Sequence, residues 1–285
     1  MITAEFDYEA PASLDRLLEV LRRDAESTKL LAGGMTLVPM LNLGLLSPDL
    51  LVGLRNIPDL SGVTEQPDCI LVGAMTRHHG VASNPLVRRF APLLGLAAGL
   101  IGDTQVRNRG TLGGSLAHAD PAANYLPAVV ALEADIELAG PSGRRTVPAK
   151  DFFCDVMTTQ LEKDELIVNV RVPKRATRTG CSFQKFARVK GNFPIVCAAA
   201  LWDFERDAGR VVIGGVSATP TVVDVVSHEI AAPSALGDLI RAAITEPLED
   251  QNGDAEYKRE MAVVFGSRAL ADARANADPR EVTER

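Results

Sequence analysis

Two glycine pairs set against apolar sequence constrain the fold of this chain more than any other feature. The first lies in Ala32-Gly33-Gly34-Met35-Thr36, directly after the short apolar run that begins at Thr28. The second, Gly113-Gly114, lies in a long polar stretch from Ile101 to Pro121 that includes Gly110-Thr111-Leu112-Gly113-Gly114-Ser115. Consecutive glycines let backbone N–H groups converge and let a ligand approach the main chain closely, as an anionic phosphate requires. Taken alone, a glycine pair after a strand is more often a tight turn. The second stretch resists that reading, because polar loops of this length inside a compact domain are uncommon and usually functional. It offers the Thr111 and Ser115 hydroxyls, several N–H groups expected to be free, and two arginines, Arg107 and Arg109. Neither segment is a G-x-G-x-x-G fingerprint, and no Gly-Lys-Ser/Thr follows, so Rossmann and Walker sites are disfavoured.

The surrounding patterns mix α and β. Ser13 precedes Leu14, Leu17, Leu18 and Leu21, the spacing of an amphipathic helix with an N-cap. Strands are predicted at 28–32, 50–52, 69–74 and 135–138. Pro141-Ser142-Gly143 turns the last of these back into Arg145-Thr146-Val147 as a hairpin. Residues 93–101 and 128–133 read as helix and helix end, and 166–172 as an alternating strand closed by Pro173. Lys174 to Gly180, basic and polar, is the best domain boundary. Beyond it, three strands are predicted at 183–188, 198–204 and 210–217. Helices follow, carrying Leu236, Leu239 and Ile240, then Met261, Val264, Phe265 and Leu270. Strands followed by helices make an α+β module. The polar residues 276–285 are expected to fray.

Composition narrows the class. With 285 residues, 46% hydrophobic and 24% charged, the chain can bury a core and form one large or two modest domains. A net charge of −7 argues against nucleic-acid binding, which needs a positive field. Cys69, Cys154, Cys181 and Cys197 include no C-x-x-C pair, so neither a zinc ribbon nor an iron–sulfur cluster is encoded. Scattered thiols and an N-terminus without a signal-peptide pattern suit the cytoplasm. His78-His79 has no carboxylate or further histidine at metal-ligand spacing, and no G-x-S-x-G or H-E-x-x-H occurs. No catalytic residue and no metal ligand is therefore assigned.

At its glycine segments the sequence resembles the FAD-binding medium subunits of molybdenum hydroxylases, of the carbon monoxide dehydrogenase and xanthine dehydrogenase type. The resemblance rests on Ala32 to Met40, on Gln105 to Ala123, and on Val72-Gly73-Ala74-Met75-Thr76 with His78. Leu166 to Pro173 and Phe183-Gln184-Lys185-Phe186-Ala187-Arg188 extend it in order along nearly the whole chain. It implies an α+β protein: a two-part FAD-binding domain of the vanillyl-alcohol oxidase (PCMH-like) type over 1–174, with subdomains of about 1–56 and 57–174. A smaller C-terminal α+β domain over 180–285 would follow, a three-stranded antiparallel sheet with helices.

The same resemblance implies the site. Ala32, Gly33, Gly34, Met35 and Thr36 would hold the pyrophosphate of a noncovalent FAD through backbone N–H groups. Thr111, Leu112, Gly113, Gly114 and Ser115 would form the opposing glycine loop. Ile101 would pack on the cofactor, Ile167 would line the pocket, and Lys185 would reach toward the flavin. Asn124 stands where relatives often carry an aspartate. Met35-Thr36 replaces the His-Ser of some relatives, and Lys190-Gly191-Asn192-Phe193-Pro194 a more usual Arg-Ala-Gly-Asp-Phe. Molybdopterin and [2Fe–2S] clusters would sit on a large and a small partner subunit, in a dimer of heterotrimers. This chain would then pass electrons from the clusters to an acceptor. A self-contained FAD-dependent oxidoreductase and a non-redox flavin-binding scaffold are the alternatives.

Overall fold

The computed structural model describes residues 5–175, 178–232 and 234–276. Met1 to Ala4, residues 176–177 of the expected boundary and the tail from Ala277 to Arg285 lie outside them. The chain opens with β1 (Asp7–Glu9), α1 (Leu14–Arg23), β2 (Thr28–Leu31), α2 (Leu37–Asn42) and β3 (Leu50–Gly53). β3 lies between β1 and β2 and runs parallel to both. The Ser13 hydroxyl caps α1 by accepting from the Arg16 N–H at 3.3 Å. The helix buries Leu17, Val20 and Leu21 in a core shared with Val52 and Leu54.

β4 (Val63–Glu65) and β5 (Cys69–Gly73) begin the next layer. The helices α3 (His78–Ser83), α4 (Pro85–Phe90), α5 (Pro92–Gly99), α6 (Thr104–Arg109), α7 (Leu112–His118) and α8 (Tyr125–Ala131) follow. Then come β6 (Asp135–Gly140), β7 (Gly143–Pro148), α9 (Ala149–Phe152), the small pair β8 (Phe153–Asp155) and β9 (Thr158–Thr159), and β10 (Leu166–Pro173). The antiparallel sheet has the order β4-β5-β10-β6-β7. β10 is central and covered on both faces. Leu166 and Val168 join the core of α1, whereas Ile167, Val170 and Val172 join the larger core that holds α5 and α8. A register shift between Ile167 and Asn169 accompanies this change of face.

The rest is β11 (Thr179–Phe186), β12 (Val196–Asp203), β13 (Ala208–Gly214), β14 (Thr221–Val226), α10 (Ala235–Ala243) and α11 (Ala255–Ala275). The four strands pair antiparallel in chain order. The α+β reading holds, but among the described residues this sheet has one strand more than the three expected. β12 explains how the sheet is sandwiched. Cys197, Ala199 and Leu201 join the core with α5 and α8, and Ala198, Ala200 and Trp202 lie under α11. Alanines let helices approach a strand covered on both faces. Among the described residues no helix is long and apolar enough to cross a membrane.

Candidate functional site

The stretch expected to be a loop from 101 to 121 folds into α6 and α7, and the amides of its glycine segment are taken up by the protein. Asp103 caps α6 by accepting from the Val106 N–H at 2.8 Å, and the Thr111 hydroxyl caps α7 by accepting from Gly114 N–H at 3.2 Å. Leu112 N–H donates to Thr76 O at 3.0 Å, Gly113 N–H to Ala74 O at 2.8 Å and Ser115 N–H to Thr111 O at 3.1 Å. The expectation of free N–H groups therefore fails for the glycine segment itself, from Leu112 to Ser115. Both arginines are corrected too. Arg107 turns inward, its Nη1 donating to the carbonyls of Ile101 at 3.0 Å and Gly102 at 2.9 Å, and Arg109 does not line the cavity.

The first glycine segment behaves differently. The N–H groups of Gly33, Gly34, Met35 and Thr36 have no partner among the described residues, and Gly34 turns the chain with φ +76°. This unpartnered run opens on a cavity of about 660 Å³, within the range of ligand sites. Ala32, Gly33, Gly34, Met35 and Thr36 form one wall, with Thr111, Gly113, Gly114 and Ser115 among the other lining residues. Ile101, Asn124, Ile167 and Lys185 also line it, so the structure brings together every residue expected there except Leu112. The Leu112 side chain is fully buried in the core instead.

Lys185 lies on β11 and reaches back across the molecule, its Nζ donating to Leu100 O at the end of α5 at 2.9 Å. Burial lowers its pKa, opposed by the nearby Cys197. Asn124 is buried and donates through Nδ2 to Ala97 O at 3.0 Å, so an amide suits a place where a carboxylate would face a carbonyl.

Of the lining residues not assigned to the site from sequence, three bear most on its chemistry. His78, at the start of α3, is buried with Nδ1 3.1 Å from the Tyr125 hydroxyl. Desolvation, and next the charge of Arg107, lowers its pKa to about 4, so the ring is neutral at physiological pH. Glu165 is held by Arg145 through contacts of 2.7 and 2.6 Å, which keep its carboxylate below the usual range. Phe193 projects from the β11–β12 connection. Gly191, two positions before it, was the available signal, since a glycine-containing connection after a strand marks a close approach.

Comparison with known proteins agrees with this architecture. Residues 4–175 match the family described as FAD binding domain in molybdopterin dehydrogenase. The chain is 38% identical over 282 residues to the carbon monoxide dehydrogenase medium chain of Hydrogenophaga pseudoflava, covering 95% of this chain and 97% of that one. It is 32% identical to the 6-hydroxypseudooxynicotine dehydrogenase complex subunit alpha of Paenarthrobacter nicotinovorans, over 96% of both chains. The solved carbon monoxide dehydrogenase of Hydrogenophaga pseudoflava that lacks the Mo-pyranopterin moiety superposes with a TM-score of 0.91 at 36% identity. It covers 97% of this chain and 100% of its own. Similarity this extensive, in sequence and in fold, makes the protein an oxidoreductase subunit that belongs to the FAD-binding medium subunits of the molybdenum hydroxylases.

Proposed function

We propose that this chain is the electron-transfer subunit of a heteromeric molybdenum hydroxylase of the cytoplasm. It would receive electrons from the [2Fe–2S] clusters of a small partner and deliver them to an external acceptor. A large molybdopterin subunit would complete each heterotrimer, two of which would pair. The flavin supplies the redox chemistry, and the protein supplies binding, orientation and electrostatics. In this reading residues 1–174 form the flavin domain and 180–285 a C-terminal domain that contributes Lys185.

The observation that carries the proposal is the run of four unpartnered amides from Gly33 to Thr36 on the cavity wall. Backbone N–H groups left without protein acceptors suit a pyrophosphate. Thr111, Gly113, Gly114 and Ser115 would close the opposite side without competing for the anion, since their own amides from Gly113 to Ser115 are already bonded. Leu112 would support that wall from the core. Ile101 and Ile167 would give apolar contact, and Asn124 a neutral polar one. Lys185 would hold positive charge near the ring.

Relatives whose names specify carbon monoxide and 6-hydroxypseudooxynicotine each match this chain over 95% of its length or more. That supports placing substrate choice on another subunit. The test is anaerobic stopped-flow spectroscopy of the isolated chain and of the complex purified from its source. An organic substrate should bleach the flavin in the complex and leave the isolated chain's flavin oxidised. Reduction of the isolated chain's flavin at a catalytic rate would replace the proposal with a self-contained oxidoreductase, and a colourless protein with a non-redox scaffold.

A further inference from the structure

The connection from β11 to β12, residues 187–195, carries Gly191, Asn192 and Phe193 to the cavity. Phe193 is 62% exposed, and Val189 at the other side of the same turn is 60% exposed. Apolar burial fixes the end of the connection, at Pro194 and Ile195, but does little for the part from Arg188 to Phe193. Its internal support is small: Ile195 N–H donates to Phe186 O at 2.7 Å across the base, and Asn192 N–H to Val189 O at 3.2 Å. Among the described residues, the side-chain hydrogen bonds from this segment to the rest of the protein all come from Arg188. Its Nη2 donates to Gln251 O at 3.0 Å and to Asn252 O at 3.3 Å.

The turn that offers these two carbonyls is itself fixed from below. Asp250 and Gly253 exchange backbone hydrogen bonds, and the Asn252 N–H donates to Asp250 Oδ1 at 2.8 Å. Asp250 Oδ2 lies 2.9 Å from the Nζ of Lys258, a lysine only 2% exposed. Burying an ammonium is costly and is tolerated where the charge is paired and fixes a specific arrangement. Asp254 then caps α11 by accepting from Tyr257 N–H at 2.8 Å, and the Tyr257 ring meets Phe186 at the base of the connection. An ion pair buried on its lysine side and open to solvent at Asp250 thus anchors a surface turn, and the turn anchors Arg188.

We propose that Arg188 is a positioning residue, held by the Gln251 and Asn252 carbonyls, that sets where Phe193 stands at the cavity. Asp250 and Lys258 support it by fixing the turn. The inference rests on the reading that the cavity holds the flavin. It goes beyond that reading by giving Phe193 a mechanical support in the turn that precedes α11. Both bonds come from Nη2, whose two N–H groups are held in the plane of the guanidinium, whereas a lysine ammonium rotates freely on a flexible stem.

The experiment uses the full chain freed of FAD and titrated with FAD, comparing wild type with Arg188→Ala, Arg188→Lys, Asp250→Asn, Phe193→Ala and the Arg188→Ala/Phe193→Ala pair. Visible circular dichroism of the bound flavin reports the asymmetry imposed on the ring, and thermal unfolding reports the fold. Arg188→Ala should keep one FAD per chain, lose much of the visible dichroism and weaken FAD about tenfold, the equivalent of one charged hydrogen bond. Arg188→Lys and Asp250→Asn should fall between it and wild type, and the double variant should match Phe193→Ala alone. Unchanged dichroism and affinity in Arg188→Ala would overturn the proposal. So would an Arg188→Ala effect that persists in full on the Phe193→Ala background. If the alanine variant does not fold, Arg188→Lys and Asp250→Asn decide by the same criterion. A wild-type chain that takes up no FAD would instead refute the flavin reading, and this proposal with it.

Discussion

Gly33 and Arg109 lock the two glycine segments together: a β-carbon on Gly33 would stand 2.8 Å from the Arg109 carbonyl carbon, closer still to its oxygen. The glycine is thus required by packing of the protein on itself. Gly113 is similar, since its β-carbon would lie 2.5 Å from that of Ala74. Gly33→Ala should therefore destabilise the FAD-free chain by about 1–3 kcal/mol, the usual cost of overpacking, and weaken FAD binding by parting the loops. Thermal and urea unfolding of the FAD-free variant checks this. Unchanged stability with lost FAD binding would mean that the glycine serves ligand approach alone.

The sequence carries the first of these facts only as a glycine pair, because the partner is 76 positions away and reaches it through backbone. Elements with a strong period were legible: α1 through its leucines and the Ser13 cap, β10 through alternation up to Pro173. β14 was not, because Val222 on its exposed side hides the alternation of Val223 and Val225. α6 and α7 are six and seven residues long, too short for a helical period to show, and α6 buries none of its side chains. Leu112 was grouped with its glycine neighbours, but its large apolar side chain follows the ordinary preference for the core. The reach of Lys185 to Leu100, across 85 positions, has no local signature at all.

Glu133 joins the flavin side of the molecule to the C-terminal sheet. Its carboxylate accepts from Arg175 at 3.0 Å and from Arg210 on β13 at 2.8 Å, and Arg210 also pairs with Asp224 on β14. The carboxylate is more than half exposed, so screening by water limits the gain. Glu133→Gln should cost no more than about 1 kcal/mol in low salt and less at high salt. Urea unfolding at two ionic strengths measures both numbers, and a loss independent of salt would point to packing instead.

Lys185 should matter more for the flavin than for the fold. Removing its ammonium in Lys185→Met deletes one hydrogen bond to Leu100 and a positive charge at the cavity. Unfolding free energy should fall by about 1–2 kcal/mol. Flavin reduction gains negative charge, so losing a nearby cation should shift the potential in the negative direction. Spectroelectrochemical titration of the variant would show this, and a potential equal to wild type would place Lys185 away from the ring.

His78 supplies a pH dependence whose sign is fixed by its burial. Desolvation, reinforced by Arg107, holds its folded pKa at about 4, below the ordinary 6.5, so the unfolded chain binds the proton more readily. The neutral ring's contribution is complete above pH 6.5 and is lost as pH falls through 6.5 to about 4, for a total of about 3 kcal/mol. Urea unfolding of the FAD-free chain should therefore show stability falling with acidification over that window. His78→Gln, which cannot titrate, should flatten that slope while losing some stability at pH 7.5 with the Tyr125 contact. The ring resonances of His78 should not titrate above pH 5. A variant whose slope matches wild type would show that another group governs the acid sensitivity and that the His78 ring is solvated.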